Sequence, residues 1–187
     1  MGGFVNAIAD ASSLIVLARQ DALWLLERVL GRVALVPGVE TETVVQGKAK
    51  GYADAERIEA AIVSGKLAVI APTAAEKRLA THMGERTPAL SRTDCTTLAC
   101  AKERGLTLIM EEQRGRNVAV AHDIAYVTIQ VLPLQGFVAE QLSFAECDDL
   151  LARIGQAMRT DKAILAVLRA ASSEIERLRS AQGEGSA

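Results

Sequence analysis

Phe4-Val5-Asn6-Ala7-Ile8-Ala9-Asp10-Ala11-Ser12-Ser13-Leu14-Ile15-Val16-Leu17 is a short apolar run that stops at one acid and then changes period. Phe4 to Ala9 has the aliphatic character of a strand buried on both faces. Asp10 to Ser13 offers side-chain oxygens that can cap a helix continued by Leu14 to Leu17. A strand running directly into a helix is the repeating unit of a parallel α/β sheet.

The same unit recurs along the chain. Further strands are expected at Arg32–Val36, closed by Pro37, at Lys66–Ile70, followed by Pro72, and at Leu106–Met110, stopped by Glu111-Glu112. Tyr126–Ile129 is a weaker fifth. Helices are expected over Asp21–Leu30, Val39–Val45, Ala53–Ser64, Thr73–Met83, Ser91–Arg104 and Gly115–His122, with a loop at Gly47–Gly51. Ser91 reads as an N-cap, with Asp94 closing an acidic capping box. After Pro133 the strand signals cease, and Ser143–Ala157 and Thr160–Arg179 read as helices. The expected architecture is α/β: a three-layer open parallel sheet of about five strands, with helices on both faces and extra C-terminal helices. The expected organisation is a sheet domain over 1–158, a helical extension over 159–181 and a disordered tail over 182–187.

Composition narrows the function. Half of the 187 residues are hydrophobic but only 3% are aromatic, so the core is aliphatic. The formal net charge of -2 excludes a protein that coats nucleic acid by bulk electrostatics. Nucleic-acid contact then needs local basic clusters or a metal. Cys95, Cys100 and Cys147 form no zinc or redox spacing and read as reduced thiols. His82 and His122 have no ligand spacing either. No dinucleotide-type or P-loop glycine motif occurs. Met1–Asp10 lacks the pattern of a secretory leader, and no apolar stretch reaches the ~18 residues of a membrane span, so a cytoplasmic location is expected.

Open parallel sheets bind ligands beyond the carboxyl ends of their strands. Asp10 follows the first strand, and Glu111 and Glu112 follow the fourth. Glu42 lies in the first turns of the helix after the second strand. Asp94 starts the helix that returns to the fourth, so its end of that helix belongs at the same edge. Asp10, Glu42, Asp94 and Glu112 can thus converge. Clustered carboxylates repel unless protonated or bound to a cation. Hard ions such as Mg²⁺ prefer oxygen ligands, and paired ions can activate water for phosphodiester cleavage. Arg92, Arg114 and Arg116 flank this edge as a candidate RNA-backbone patch.

Asp-Ala-Ser-Ser-Leu-Ile after the first strand, Val-Pro-Gly-Val-Glu-Thr-Glu after the second, Leu-Ser-Arg-Thr-Asp at a helix start and Glu-Glu-Gln-Arg-Gly-Arg-Asn-Val-Ala after the fourth together resemble the PIN-domain family, most closely its VapC-toxin-like ribonucleases. The resemblance runs from Phe4 to Gly136. It implies that Asp10, Glu42, Asp94 and Glu112 are the metal-coordinating acids, with Glu111 beside the last and Ser12 supporting the first. Arg116 corresponds to a basic residue that holds a phosphate or orients a carboxylate. It further implies Mg²⁺ or Mn²⁺ as cofactor, RNA as substrate and an antitoxin protein as partner. Relatives carry Asp-Asp where this chain has Glu111-Glu112, and the extra methylene moves each carboxylate outward by about 1.5 Å. A second reading is therefore a PIN fold that binds RNA or a protein without cutting. A third, compatible with either, is an oligomerisation or antitoxin surface on the last two helices, built from Ile164, Leu165, Leu168, Ile175 and Leu178.

Overall fold

The structure, a computed structural model, describes residues 4–184. β1 (Val5–Ala9) is followed by α1 (Ala11–Arg19) and α2 (Trp24–Leu30), and β2 (Arg32–Leu35) by α3 (Pro37–Glu40), α4 (Gln46–Ala49) and α5 (Ala53–Val63). β3 (Leu67–Val69), α6 (Ala74–Arg86), α7 (Arg92–Arg104), β4 (Thr107–Ile109), α8 (Gln113–Ala121) and β5 (Tyr126–Val127) come next. α9 (Leu132–Val138), α10 (Phe144–Met158) and α11 (Lys162–Glu184) complete the order. The chain forms two compact units, one ending at Ile129 and the other beginning at Gln130. The boundary expected at 158 falls inside the second unit, between α10 and α11.

The first unit is an open sheet of five strands in the order β3-β2-β1-β4-β5, and every adjacent pair is parallel. Ala7, Ile8 and Ala9 in the centre and Val33, Ala34 and Leu35 beside them are all buried, so helices cover both faces of the sheet. The strand order reverses once. From β1 the chain moves outward through β2 to β3, then returns to place β4 on the other side of β1. The crevice between β1 and β4 at their carboxyl ends is therefore the topological switch point of the sheet.

Three local features differ from the sequence expectations. The helical run after β2 continues through a π turn (Thr41–Val45) into α4, where Gly47–Gly51 was expected as a loop. Gly47 is buried there because a Cβ would sit 2.7 Å from the Ala55 Cβ, so this glycine permits close packing of α5 rather than a turn. Asp94 does not close a capping box with the Ser91 backbone: Ser91 Oγ donates to Asp94 Oδ2 at 2.7 Å and accepts from Asp94 N at 3.0 Å. α11 runs on through Glu184, so Gln182 to Glu184 are helical where a tail was expected, and 185–187 lie outside the described residues.

In the second unit α9, α10 and α11 pack on one another. Leu165 contacts Gly155 of α10, where a Cβ would lie 3.2 Å from its side chain. Arg179 of α11 donates to the Phe137 and Val138 carbonyls at 3.1 and 2.9 Å, which satisfies the open end of α9. The proposed stripe on the last helices divides accordingly. Leu168 is buried and Leu165 and Ile175 are half-buried, while Ile164 and Leu178 are exposed together with Val167.

α6 and α7 are joined by an ion pair. Glu76 is 2% exposed and accepts from Arg104 Nε at 2.6 Å and Nη2 at 2.8 Å. The Arg104 guanidinium is the main reason the Glu76 carboxyl is held at about 2, well below the usual carboxylate range. Because the folded value lies below the unfolded one, the stabilisation is complete above the unfolded value near 4.5 and is lost as pH falls towards 2. The shift corresponds to about 3 kcal/mol at neutral pH. Thermal melts are expected to show a midpoint that drops across this acid range in the natural chain, and a Glu76→Gln variant that is less stable at neutral pH and flatter across it.

Candidate active site

Asp10 is the residue where β1 becomes α1. Its backbone N–H extends the ladder to Ile109 O at 3.1 Å, so the acid sits at the very end of the β1–β4 pair. Its side chain caps α1: Oδ1 accepts from Ser13 N at 2.7 Å. Oδ2 accepts from Ser12 Oγ at 3.0 Å and from Glu111 N at 3.1 Å. The side chain is nevertheless 3% exposed, and burial raises its pKa against these hydrogen bonds, which pull it down.

Glu111 stands beside it across the switch point. Burial again raises the pKa, the Asp10 charge adds to the rise, and the Ile129 amide and Arg116 oppose it. Oε1 accepts from Ile129 N at 2.6 Å, which ties the segment after β5 to the end of β4. Arg116 donates to the Glu111 carbonyl, to Gln113 Oε1 at 2.6 Å and to Met110 O at 3.5 Å. It thus braces the β4–α8 turn through backbone oxygens. Gly115 allows that turn to close, because a Cβ at this position would fall on Met110 Sδ. Ser13 is fully buried in the first turn of α1, where its backbone N–H and its side chain both act on the Asp10 carboxylate and lower its pKa.

The other expected residues share the edge without joining the pair. Glu112 is exposed and is the N-cap residue of α8, with no side-chain capping bond. Asp94 is half-buried in the first turn of α7 and is held by Ser91. Glu42 is half-buried in the π turn after α3. Arg92 and Arg114 are exposed at the starts of α7 and α8. Among the described residues, no three His, Cys, Asp or Glu side chains stand close enough to hold a metal ion. The carboxylates brought together are Asp10 and Glu111. Ser13 and Gly115, read from the sequence only as a capping residue and a helix start, both contribute to this site. A glycine in the first turn of a helix disfavours the helix locally, and that is the signal that could have marked Gly115.

A family profile described as a PIN domain matches residues 6–144. The chain belongs to the PIN-domain family. The crystal structure of PAE2754 from Pyrobaculum aerophilum superposes with a TM-score of 0.50 at 17% identity, covering 73% of this chain and 98% of that one. At that identity the likeness speaks for the fold alone. No curated protein matches the sequence. The PIN match covers both acids of the switch point and both arginines of α8, and the PIN fold is of the nuclease type. No helix among the described residues is long and apolar enough to cross a membrane.

In this PIN domain the two roles of Glu111 can be separated. Glu111→Gln keeps an oxygen for the Ile129 amide, so its melting temperature is expected to equal or exceed that of the natural chain. Glu111→Ala leaves that amide unpaired beside the buried Ile129 and is expected to cost about 1–3 kcal/mol, read by chemical denaturation.

Proposed function

We propose that the protein is a metal-dependent endoribonuclease of the PIN type, the toxin component of a toxin–antitoxin pair. The observation that carries this reading is the Asp10–Glu111 pair, two desolvated carboxylates at the switch point of the sheet, where Arg116 acts on Glu111. A desolvated acid pair of this kind is stabilised by a divalent cation.

The donor chemistry fits Mg²⁺ or Mn²⁺: carboxylate oxygens that burial leaves short of water. Asp10 and Glu111 would hold the ion, and Glu112, Asp94 and Glu42 are the acids of the same edge able to complete its shell. When bound, such an ion polarises a phosphoryl oxygen and lowers the pKa of water. The chain's own groups do the rest. Ser12, Ser13 and the Glu111 amide fix the orientation of the Asp10 carboxylate. Arg116 holds the turn that positions Glu111. Arg92 and Arg114 are exposed cations able to hold the phosphates of an RNA strand. An antitoxin segment or a second copy would cover the apolar residues exposed on α11, and a cytoplasmic location accords with this role.

A second reading, a PIN module that binds RNA or a protein without cutting, is favoured by one observation: no third acid completes the Asp10–Glu111 pair among the described residues. Incubation of single-stranded RNA with the purified protein and Mn²⁺, Mg²⁺ or EDTA separates the two. The nuclease reading expects metal-dependent cleavage that falls at least about 100-fold in Asp10→Asn, a larger loss than an outer-shell partner typically causes. The variant should stay folded by circular dichroism, because Asn also caps helices. Cleavage that persists in Asp10→Asn, or that EDTA leaves intact, would overturn it.

A further inference from the structure

The carboxyl edge of the sheet carries a second concavity, separate from the acid pair. A cavity of about 840 Å³ opens where β2 and β3 end, between Val36-Pro37 and Ala71-Pro72 on one side and α6 and the start of α7 on the other. Its size is in the range of small-ligand sites. β2 is the immediate neighbour of β1, so the cavity lies one to two strand spacings, about 5–10 Å, along the edge from Asp10.

The lining combines two properties. The floor is apolar, formed by Val36, Leu90 and the two prolines. The charged lining residues are Lys77 and Arg92, with no acid among them and no ion pair to either, and the Thr93 hydroxyl also lacks a partner among the described residues. An apolar slot beside two unneutralised cations suits a planar base joined to a phosphate. It does not suit a cationic or purely apolar ligand. Gly38 contributes to the shape: a Cβ there would lie 2.9 Å from Thr93 Oγ1, so only glycine lets α3 start this close to α7.

We infer that this cavity is a nucleotide subsite, receiving the base and phosphate of a residue of the RNA strand flanking the bond held at Asp10 and Glu111. This rests on the nuclease reading for the identity of the strand, but the subsite itself is defined by binding. It sets which base is accepted next to the cut, because Pro37, Pro72 and Leu90 line the slot beside the two cations.

The test is binding of a short labelled single-stranded RNA to the full chain carrying Asp10→Asn, followed by fluorescence anisotropy without metal. Two variants attack the cavity independently. Lys77→Glu reverses one cation on an exposed helical position, and Gly84→Leu fills the slot from α6. Gly84→Ala is the folding control, since its Cβ would meet only Cys95 Sγ at 3.6 Å. Lys77→Glu and Gly84→Leu are each expected to weaken binding about tenfold, equivalent to ~1.4 kcal/mol, with Gly84→Ala unchanged. Amide shifts at Thr93 and Gly84 are expected to saturate with nucleoside monophosphates. Unaltered affinity in both variants overturns the subsite whether or not the protein cuts RNA, and leaves a protein segment as the occupant. Weakened binding together with an absence of cleavage by the natural chain keeps the subsite and overturns the nuclease reading instead.

Discussion

The structure depends on burying one carboxylate, Asp10, at the end of the central strand. Removing a charged group from water is costly, and here the cost is offset by three donors that come from different parts of the chain. Ser12 and Ser13 belong to the helix that Asp10 caps, so they arrive with the local turn. The Glu111 amide arrives only when β4 returns to the far side of β1, about a hundred residues later in the chain. The acid is therefore both a helix cap and a check on the topology: its hydrogen bonds are complete only when the sheet has its reversed strand order.

Three acids of the same unit, Glu76, Asp10 and Glu111, show what distinguishes a structural carboxylate from one kept for chemistry. Glu76 meets Arg104 in a two-pronged contact, and its charge is neutralised inside the protein. Asp10 and Glu111 stand side by side, and the Asp10 charge acts on Glu111. Their nearest cation, Arg116, is directed at backbone oxygens of the β4–α8 turn, so it shapes the site more than it neutralises it. The hydrogen bonds and guanidinium of the first case depress a pKa; the desolvation and like charge of the second raise it. An edge so arranged stores unfavourable electrostatics that a bound cation relieves.

The cavity one or two strands away extends the same edge with the opposite sign of charge. Asp10 and Glu111 after β1 and β4, and Lys77 and Arg92 lining the cavity where β2 and β3 end, divide the carboxyl edge into a place for a cation and a place for an anion. A polyanionic strand lying along the edge would meet both. Such a division explains how a chain with a net charge of -2 can still present a surface for nucleic acid.

Much of this was legible in the sequence. Aliphatic runs ending in Asp10, Pro37 and Glu111 state the strands and their carboxyl ends, because buried parallel strands exclude polar residues until they emerge from the sheet. The five-strand parallel sheet and the placement of acids at its edge follow from that local pattern. What the sequence could not state was which acids meet. Glu111 rather than Glu112 lies against Asp10, because the twist of the chain leaving β4 directs one side chain to Ile129 and the other to solvent. Gly47 reads as part of a loop and Gly115 as a helix start, but both serve as contacts, since a missing Cβ matters only once another element approaches it. Arg116 reads as a residue that holds a phosphate or orients a carboxylate, and its donors here meet the Met110 and Glu111 carbonyls and Gln113. Period and composition act over a few neighbours along the chain and so determine the elements and their order. Distances between side chains from different elements are set by packing across the whole sheet, and only the tertiary structure decided them.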